Sequence, residues 1–295
     1  MQATAVQYLK RFYLSNSPMT YHPKEIMPSA LFLSTKTENH YTSLRSFVSK
    51  LPKTTAEDVI APEFLLTQGL RFTFDVRHPQ RGLEGGFMEL MALARGKGYI
   101  ISGDERTPGQ LKEDMFGLGP TTEGGRRSKT TEDGIQRIQA AHGKAKETLK
   151  TSALLTDAYF FYTPSQMWLA AFMIADEPLT HFYIDTKFPS PSPLKPKILN
   201  TLRSCGQLLL SSPSAHPGET EMKELMKIDK KLYKCRNPEK MDLVSINKAK
   251  KRDGGGNSEN GLDEQTAKKR KLEREKSERE TDDMFGPPVG KRDGK

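Results

Sequence analysis

The chain has 295 residues, only 35% of them apolar against the ~45–50% of ordinary globular domains, and a formal net charge of +9. The positive charge is spread along the chain and not gathered into one stripe, so it does not single out a nucleic-acid surface. No run of eighteen apolar residues exists to cross a membrane, and the opening MQATAVQYLKRFYL lacks the basic-then-apolar order of a secretory signal.

Helical periodicity dominates from the start. Gln2 to Leu14 sets Val6, Leu9 and Tyr13 on one face, with Ala5 and Phe12 beside it, and Asn16, Ser17 and Pro18 stop the helix. A second helix spans about Lys24 to Thr37, and Pro28 inside it predicts either a start near that proline or a kink. Tyr41 to Leu51 places Leu44, Phe47, Val48 and Leu51 at helical spacing. Thr55 to Phe72 follows as one helix, with Val59, Glu63, Leu66 and Leu70 roughly in line and Pro62 within it. Leu83 to Ala94 carries Phe87, Leu90, Met91 and Ala94.

Gly96 to Asp133 is rich in glycine, charge and turn residues and exceeds the ~12–15 residues of an ordinary loop, so it is expected to be a flexible insertion or linker. Helix resumes at Gly134, with Ile135, Ile138, His142, Ala145 and Leu149 in a stripe that continues toward Ala153 and Asp157. Thr163-Pro164-Ser165-Gln166 is a capping box with proline at the first helical position. The segment behind it, MWLAAFMIA, is apolar all round and demands neighbours on every side. Pro189 to Pro196 reads as a linker, Lys197 to Leu210 as a helix aligning Ile198, Leu202, Cys205 and Leu209, and about Thr220 to Arg236 as a last helix. Two stacked all-α units are the simplest architecture. Beyond them, Ala249 to Lys295 holds seven apolar residues, too few to offset ordering entropy, so 248–295 is expected to be a disordered charged tail.

Catalytic signatures are missing. The chain has no GxxxxGK[ST], no GxSxG, no HExxH and no kinase motif, and its six histidines show no i, i+4 pair for a metal. Two cysteines, Cys205 and Cys235, are too few for a disulfide framework or a four-cysteine zinc site. Lys268, Lys269, Arg270 and Lys271 form a candidate nuclear-localisation string. Ser17, Thr107, Ser190, Ser192 and Ser212 each precede a proline and are candidate proline-directed phosphate acceptors. Lys36 and Glu63 lie on helix-forming segments whose apolar faces should be buried; as an exposed pair they would clamp complementary charges on a partner helix.

The strings KRFYLSNSPMTYHPKEIM, LFLSTKTENH, PEFLLTQGLRFTF, HPQRGLEG and LLTDAYFFYTPSQMWLAAFMIA resemble the fungal members of the cyclin H family, the cyclins of the general transcription factor TFIIH. The resemblance covers roughly Gln2 to Arg95 and Ile135 to Ile246. It implies tandem five-helix cyclin boxes, a further helix packing back on them, and no catalytic activity. It also implies binding and activation of the cyclin-dependent kinase of the CDK-activating complex, with a RING-finger assembly factor and core TFIIH as further partners. That complex phosphorylates the heptad-repeat tail of RNA polymerase II, in the nucleus.

By the same resemblance, Lys36, Glu63 and Phe72 match the kinase-binding residues, while Asn39 stands where many cyclins carry a second acid after that lysine. Residues 1–95 then hold a first box lacking its opening helix together with the start of the second box. Residues 96–133 form the insertion, and 134–247 complete the second box and the C-terminal helix. No metal, cofactor, small-molecule ligand or membrane is implied. The alternative is a TFIIB-like helical scaffold or nucleic-acid-binding module without kinase activation.

Overall fold

Fourteen α-helices and no strand form among the residues described by the computed structural model, which are 1–98, 106–119, 130–188, 192–213 and 218–234. All of them lie within the unit Met1–Lys240. The charged tail with its basic string Lys268–Lys271, Cys235 and Ser190 lie outside the described residues.

The first half consists of α1 (Gln2–Phe12), α2 (Pro23–Thr37), α3 (Leu44–Val48), α4 (Ala56–Ile60) and α5 (Glu63–Gly69). Tyr8, Phe12, Ile26, Ala30, Leu33, Leu66 and Leu70 form its core. The buried residues of α1 are Thr4, Ala5, Gln7, Tyr8 and Phe12, so Leu9 and Tyr13 flank the core instead of leading it and Val6 is only partly buried. Tyr8 explains the rotation: its ring fills the core while its hydroxyl donates to the Phe74 carbonyl at 2.8 Å.

Helix α2 runs from Pro23 to Thr37, as the expected span of about Lys24 to Thr37 has it, and does not start at Pro28. His22 caps it by accepting the Lys24 amide, Pro23 occupies the first turn, and Pro28 is carried inside. The single helix expected from Thr55 to Phe72 is divided in two. Pro62 has no N–H to continue the ladder, so α4 ends at Ile60 and α5 begins at Glu63. Ser29 Oγ donates to the Val59 carbonyl at 2.5 Å, which satisfies a backbone acceptor beside the break.

The second half is built from α6 (Gln80–Ala94), α7 (Pro108–Gly117), α8 (Thr131–Lys150), α9 (Ser152–Leu155), α10 (Ala158–Phe161), α11 (Pro164–Ala175), α12 (Glu177–Lys187) and α13 (Lys195–Leu210). As its composition demands, α11 is central, packed by α6, α8, α12 and α13, and the Thr163–Gln166 capping box closes its start. Helix α6 joins this second core and not the first.

Two further expectations need correction. The stretch 96–133 is not linker throughout. Thr107 caps α7 with Gln110, and Leu111 and Met115 are buried in the second core, because a Thr-Pro-x-Gln start and two apolar residues four apart suffice for a short docked helix. The stripe expected to run on toward Ala153 and Asp157 does reach Ala153 in the second core, but the helix breaks at Thr151 and Ala153 lies on the separate α9.

Asp176 sits at the joint of α11 and α12, buried, accepting a bidentate pair from Arg137 (2.6 and 2.8 Å) and capping α12 through the Leu179 amide. Trp168 lies against α6 at two glycines one turn apart. A Cβ at Gly82 would stand 2.5 Å from the indole, and one at Gly86 2.6 Å, whereas Gly85 faces open space.

The halves meet through polar contacts. Thr4 Oγ1 donates to Glu38 at 2.6 Å and lies 2.9 Å from His78 Nε2, while His78 Nδ1 is 3.0 Å from the Tyr159 hydroxyl. Burial holds the His78 imidazole below its usual pKa against the opposing pull of Glu38. Lys10 adds a bond to the Thr156 carbonyl at 2.6 Å. Helix α14 (Glu219–Lys234) reaches back to α2 through Asp229, 2.6 Å from Lys24 and 3.5 Å from His22, and buries no residue of its own.

These contacts set two stability expectations. Gly86→Ala should lower stability by about 1–3 kcal/mol, because overpacking against a buried indole outweighs the ~0.5–1 kcal/mol that alanine adds to a helix. Gly85→Ala should raise it by that ~0.5–1 kcal/mol, and urea unfolding of the two variants side by side checks the contrast. Asp176→Ala, which leaves the largely covered Arg137 without its counter-charge, should cost about 3 kcal/mol by the same measurement.

Candidate functional site

Lys36 occupies the last turn of α2 and Glu63 the first position of α5, so each charge suits the dipole of its own helix end. The fold brings them together: Lys36 Nζ lies 2.5 Å from Glu63 Oε1, with 48% of the lysine side chain and 20% of the glutamate exposed. The lysine ammonium also lies 4.6 Å above the Phe32 ring one turn earlier. Phe32 is itself buried with Phe47 and Val59 in a small separate cluster, and this cluster braces the pair from behind.

The backbone on both sides is shaped by helix endings. Helix α2 closes with the Asn39 amide on Lys36 O and the His40 amide on Thr35 O, with Asn39 at φ +56°. This is a Schellman ending, and asparagine tolerates its left-handed position better than most side chains. Asn39 therefore has a backbone reason to stand where an acid might have been. Helix α5 closes the same way, with the Arg71 amide on Gln68 O and the Phe72 amide on Thr67 O. Both Arg71 (φ +50°) and Phe72 (φ +56°) are left-handed there, which costs non-glycine residues energy.

Phe72 is 63% exposed at this ending, and no contact joins it to Lys36 or Glu63 among the described contacts. Two apolar side chains that sequence reasoning did not single out are exposed on the same stretch: Ile60 at the end of α4 and Phe64 beside Glu63. Periodicity could not reveal them, because the proline break rotates α5 relative to α4 and an apolar residue in PEFLL reads as core. The site is thus an ion pair with exposed apolar side chains on the neighbouring α4–α5 segment. It contains no nucleophile with a base, and no group of three or more metal-ligating side chains occurs among the described residues. Cys205 is buried in the second core, which pushes its thiol pKa up to about 12 and makes it inert at neutral pH.

The cyclin C-terminal domain family matches residues 78–210, the segment that builds the second core. The cyclin CCL1 of Saccharomyces cerevisiae is 34% identical over 188 residues, covering 64% of this chain and 38% of that protein. The cyclin mcs2 of Schizosaccharomyces pombe is 27% identical over 239 residues, covering 81% of this chain and 60% of that protein. The chain therefore spans less than two thirds of the length of either relative. Among solved structures, a chain of the CAK complex of Chaetomium thermophilum bound to ATP-γ-S superposes with a TM-score of 0.67 at 32% identity, covering 88% of this chain and 73% of that one. A chain of the yeast TFIIK complex superposes with a TM-score of 0.52 at 29% identity, covering 70% and 74%. With two helical cores, a matching C-terminal domain and this likeness along most of its length, the chain belongs to the cyclin family, on its cyclin H branch.

Proposed function

We propose that the chain is a regulatory subunit, without catalytic chemistry of its own, that binds and activates the cyclin-dependent serine/threonine kinase of TFIIH. The observation that carries this reading is the half-exposed Lys36–Glu63 pair with exposed Ile60, Phe64 and Phe72 on the neighbouring segment. An amphipathic kinase helix suits such a surface: apolar side chains cover the aromatic groups while its charges exchange with Lys36 and Glu63. Excluding water there makes each charge contact count for more than the ~0–1 kcal/mol of an exposed pair.

The helix to be held is the kinase's αC. Kept inward, it sets the kinase's own Lys–Glu ion pair and its magnesium ligands in place. Activation is then a population shift, driven by tighter binding to the αC-in state. The yeast TFIIK structure, which joins Kin28, Ccl1 and Tfb3, supports a kinase and an assembly factor as partners. A RING finger in that factor, core TFIIH as a further partner, the heptad-repeat tail of RNA polymerase II as substrate and a nuclear site of action complete the proposal. In this reading α1 to α5 serve as the first box, α6 to α13 as the second, and Lys268, Lys269, Arg270 and Lys271 as the nuclear address.

Reversing either charge, Lys36→Glu or Glu63→Lys, should weaken co-purification with the kinase about tenfold or more and reduce phosphorylation of a heptad-repeat peptide in proportion. The melting temperature should move by no more than a few degrees. The doubly reversed variant rebuilds the internal pair but shows the partner the wrong signs, so it should stay inactive. Full recovery of activation in that variant would mean the pair serves only the cyclin's own fold. Phe72→Gly should leave stability unchanged or raise it by up to about 1 kcal/mol, since glycine takes a left-handed φ without penalty, yet lower kinase affinity in the same pull-down.

A further inference from the structure

Of the six Ser-Pro and Thr-Pro steps, the structure separates one from the rest. Ser17 Oγ is held in its turn by the Met19 amide at 3.2 Å. Thr107 Oγ1 is the cap of α7 and accepts the Gln110 amide, and Thr163 Oγ1 caps α11 in the same way through the Gln166 amide. Ser212 follows the C-terminus of α13, where a phosphate meets the negative end of the helix. Ser190 lies outside the described residues. Ser192 is partly exposed just ahead of α13, and Ser192-Pro193-Leu194-Lys195 is the only one of the six with a cation three residues after the acceptor. That is the spacing favoured by proline-directed kinases of the cyclin-dependent class.

The neighbourhood of Ser192 also has the right charge. Helix α13 begins at Lys195 with Leu194 as its cap residue, no side chain on its free amides and no acid in its first turn. Lys195 and Lys197 sit in that turn instead, against the sign of the helix dipole. The Lys195 amide reaches only the Ser192 carbonyl, at 3.4 Å, while its ammonium pairs with Asp185 of α12 and Lys197 is exposed.

We propose that Ser192 is a phosphorylation site for a proline-directed kinase of the cyclin-dependent class, and that its phosphate caps α13. Ser192 Oγ attacks the γ-phosphorus of ATP, the bond to ADP breaks, and the hydroxyl proton passes to the kinase's catalytic base. The product is a dianion at a helix start that carries two lysines and no cap, so phosphate oxygens accept from the Lys195 and Lys197 amides, Pro196 between them having none, and share the Lys195 ammonium with Asp185. Because α13 packs along α11 through Leu202, Cys205 and Leu209, a firmer start for α13 stiffens the second core. None of this depends on the chain activating a kinase itself.

The test uses the full chain, ATP with magnesium, and a purified cyclin-dependent kinase already bound to its own cyclin, followed by phosphosite mapping. The expected result is phosphate on Ser192, absent in Ser192→Ala, with the melting temperature of the modified protein raised by ~1–3 °C, a gain that shrinks in Lys197→Ala. Both substitutions are at surface positions and leave the core untouched. An unmodified Ser192, under conditions that phosphorylate a Ser-Pro-x-Lys peptide, overturns the assignment. A modified Ser192 with an unchanged or lower melting temperature overturns the capping role.

Discussion

The burial of α11 on every side is the constraint from which the second half of the molecule follows. A helix reading MWLAAFMIA offers water no face, so α6, α8, α12 and α13 must surround it, and the packing has to be tight enough for an indole to lie against a helix backbone. Gly82 and Gly86 make that approach possible, and the Asp176–Arg137 pair fixes the corner where the chain leaves α11 for α12. The first half gathers around α2, which packs against α1, α4 and α5 but is not enclosed on every side. Its core is smaller and divided, and its separate cluster of Phe32, Phe47 and Val59 supports the surface that carries Lys36.

Proline works at two scales in this chain. Inside α2, Pro28 is tolerated because the helix is capped ahead of it and packed along its length. At Pro62 the ladder stops and α5 starts afresh. That interruption creates a helix start at Glu63, within reach of the end of α2. A continuous helix from Thr55 to Phe72 would have left Glu63 in mid-helix without this favourable end. The ion pair is thus a product of chain geometry as much as of charge.

Much of the fold was legible because its patterns are local. The Thr163-Pro164-Ser165-Gln166 cap, the α13 stripe and the all-apolar α11 are each defined within a few turns, and each stands where the pattern places it. What could not be read depended on partners distant in sequence. The rotation of α1 is set by the bond from Tyr8 to Phe74, and the docking of α7 by a surface contributed by α6 and α8. Helix α12 escaped notice because its polar start, Asp176-Glu177-Pro178, reads as a turn until Arg137 is seen to hold it. At the candidate site, the Lys36–Glu63 pairing was within reach of sequence reasoning, but the exposure of Ile60 and Phe64 was not, since it depends on the angle between two short helices.

The junction of Thr4, Glu38, His78 and Tyr159 has a consequence for association. Glu38 is two residues beyond Lys36, so the end of α2 that carries the lysine is tied by hydrogen bonds to the segment between the halves and, through Tyr159, to the second half. A surface held this way loses its freedom when the chain folds and not when a partner arrives. The conformational entropy that a loosely tethered clamp would surrender on binding is therefore already gone, and more of each contact's strength is left to appear as affinity.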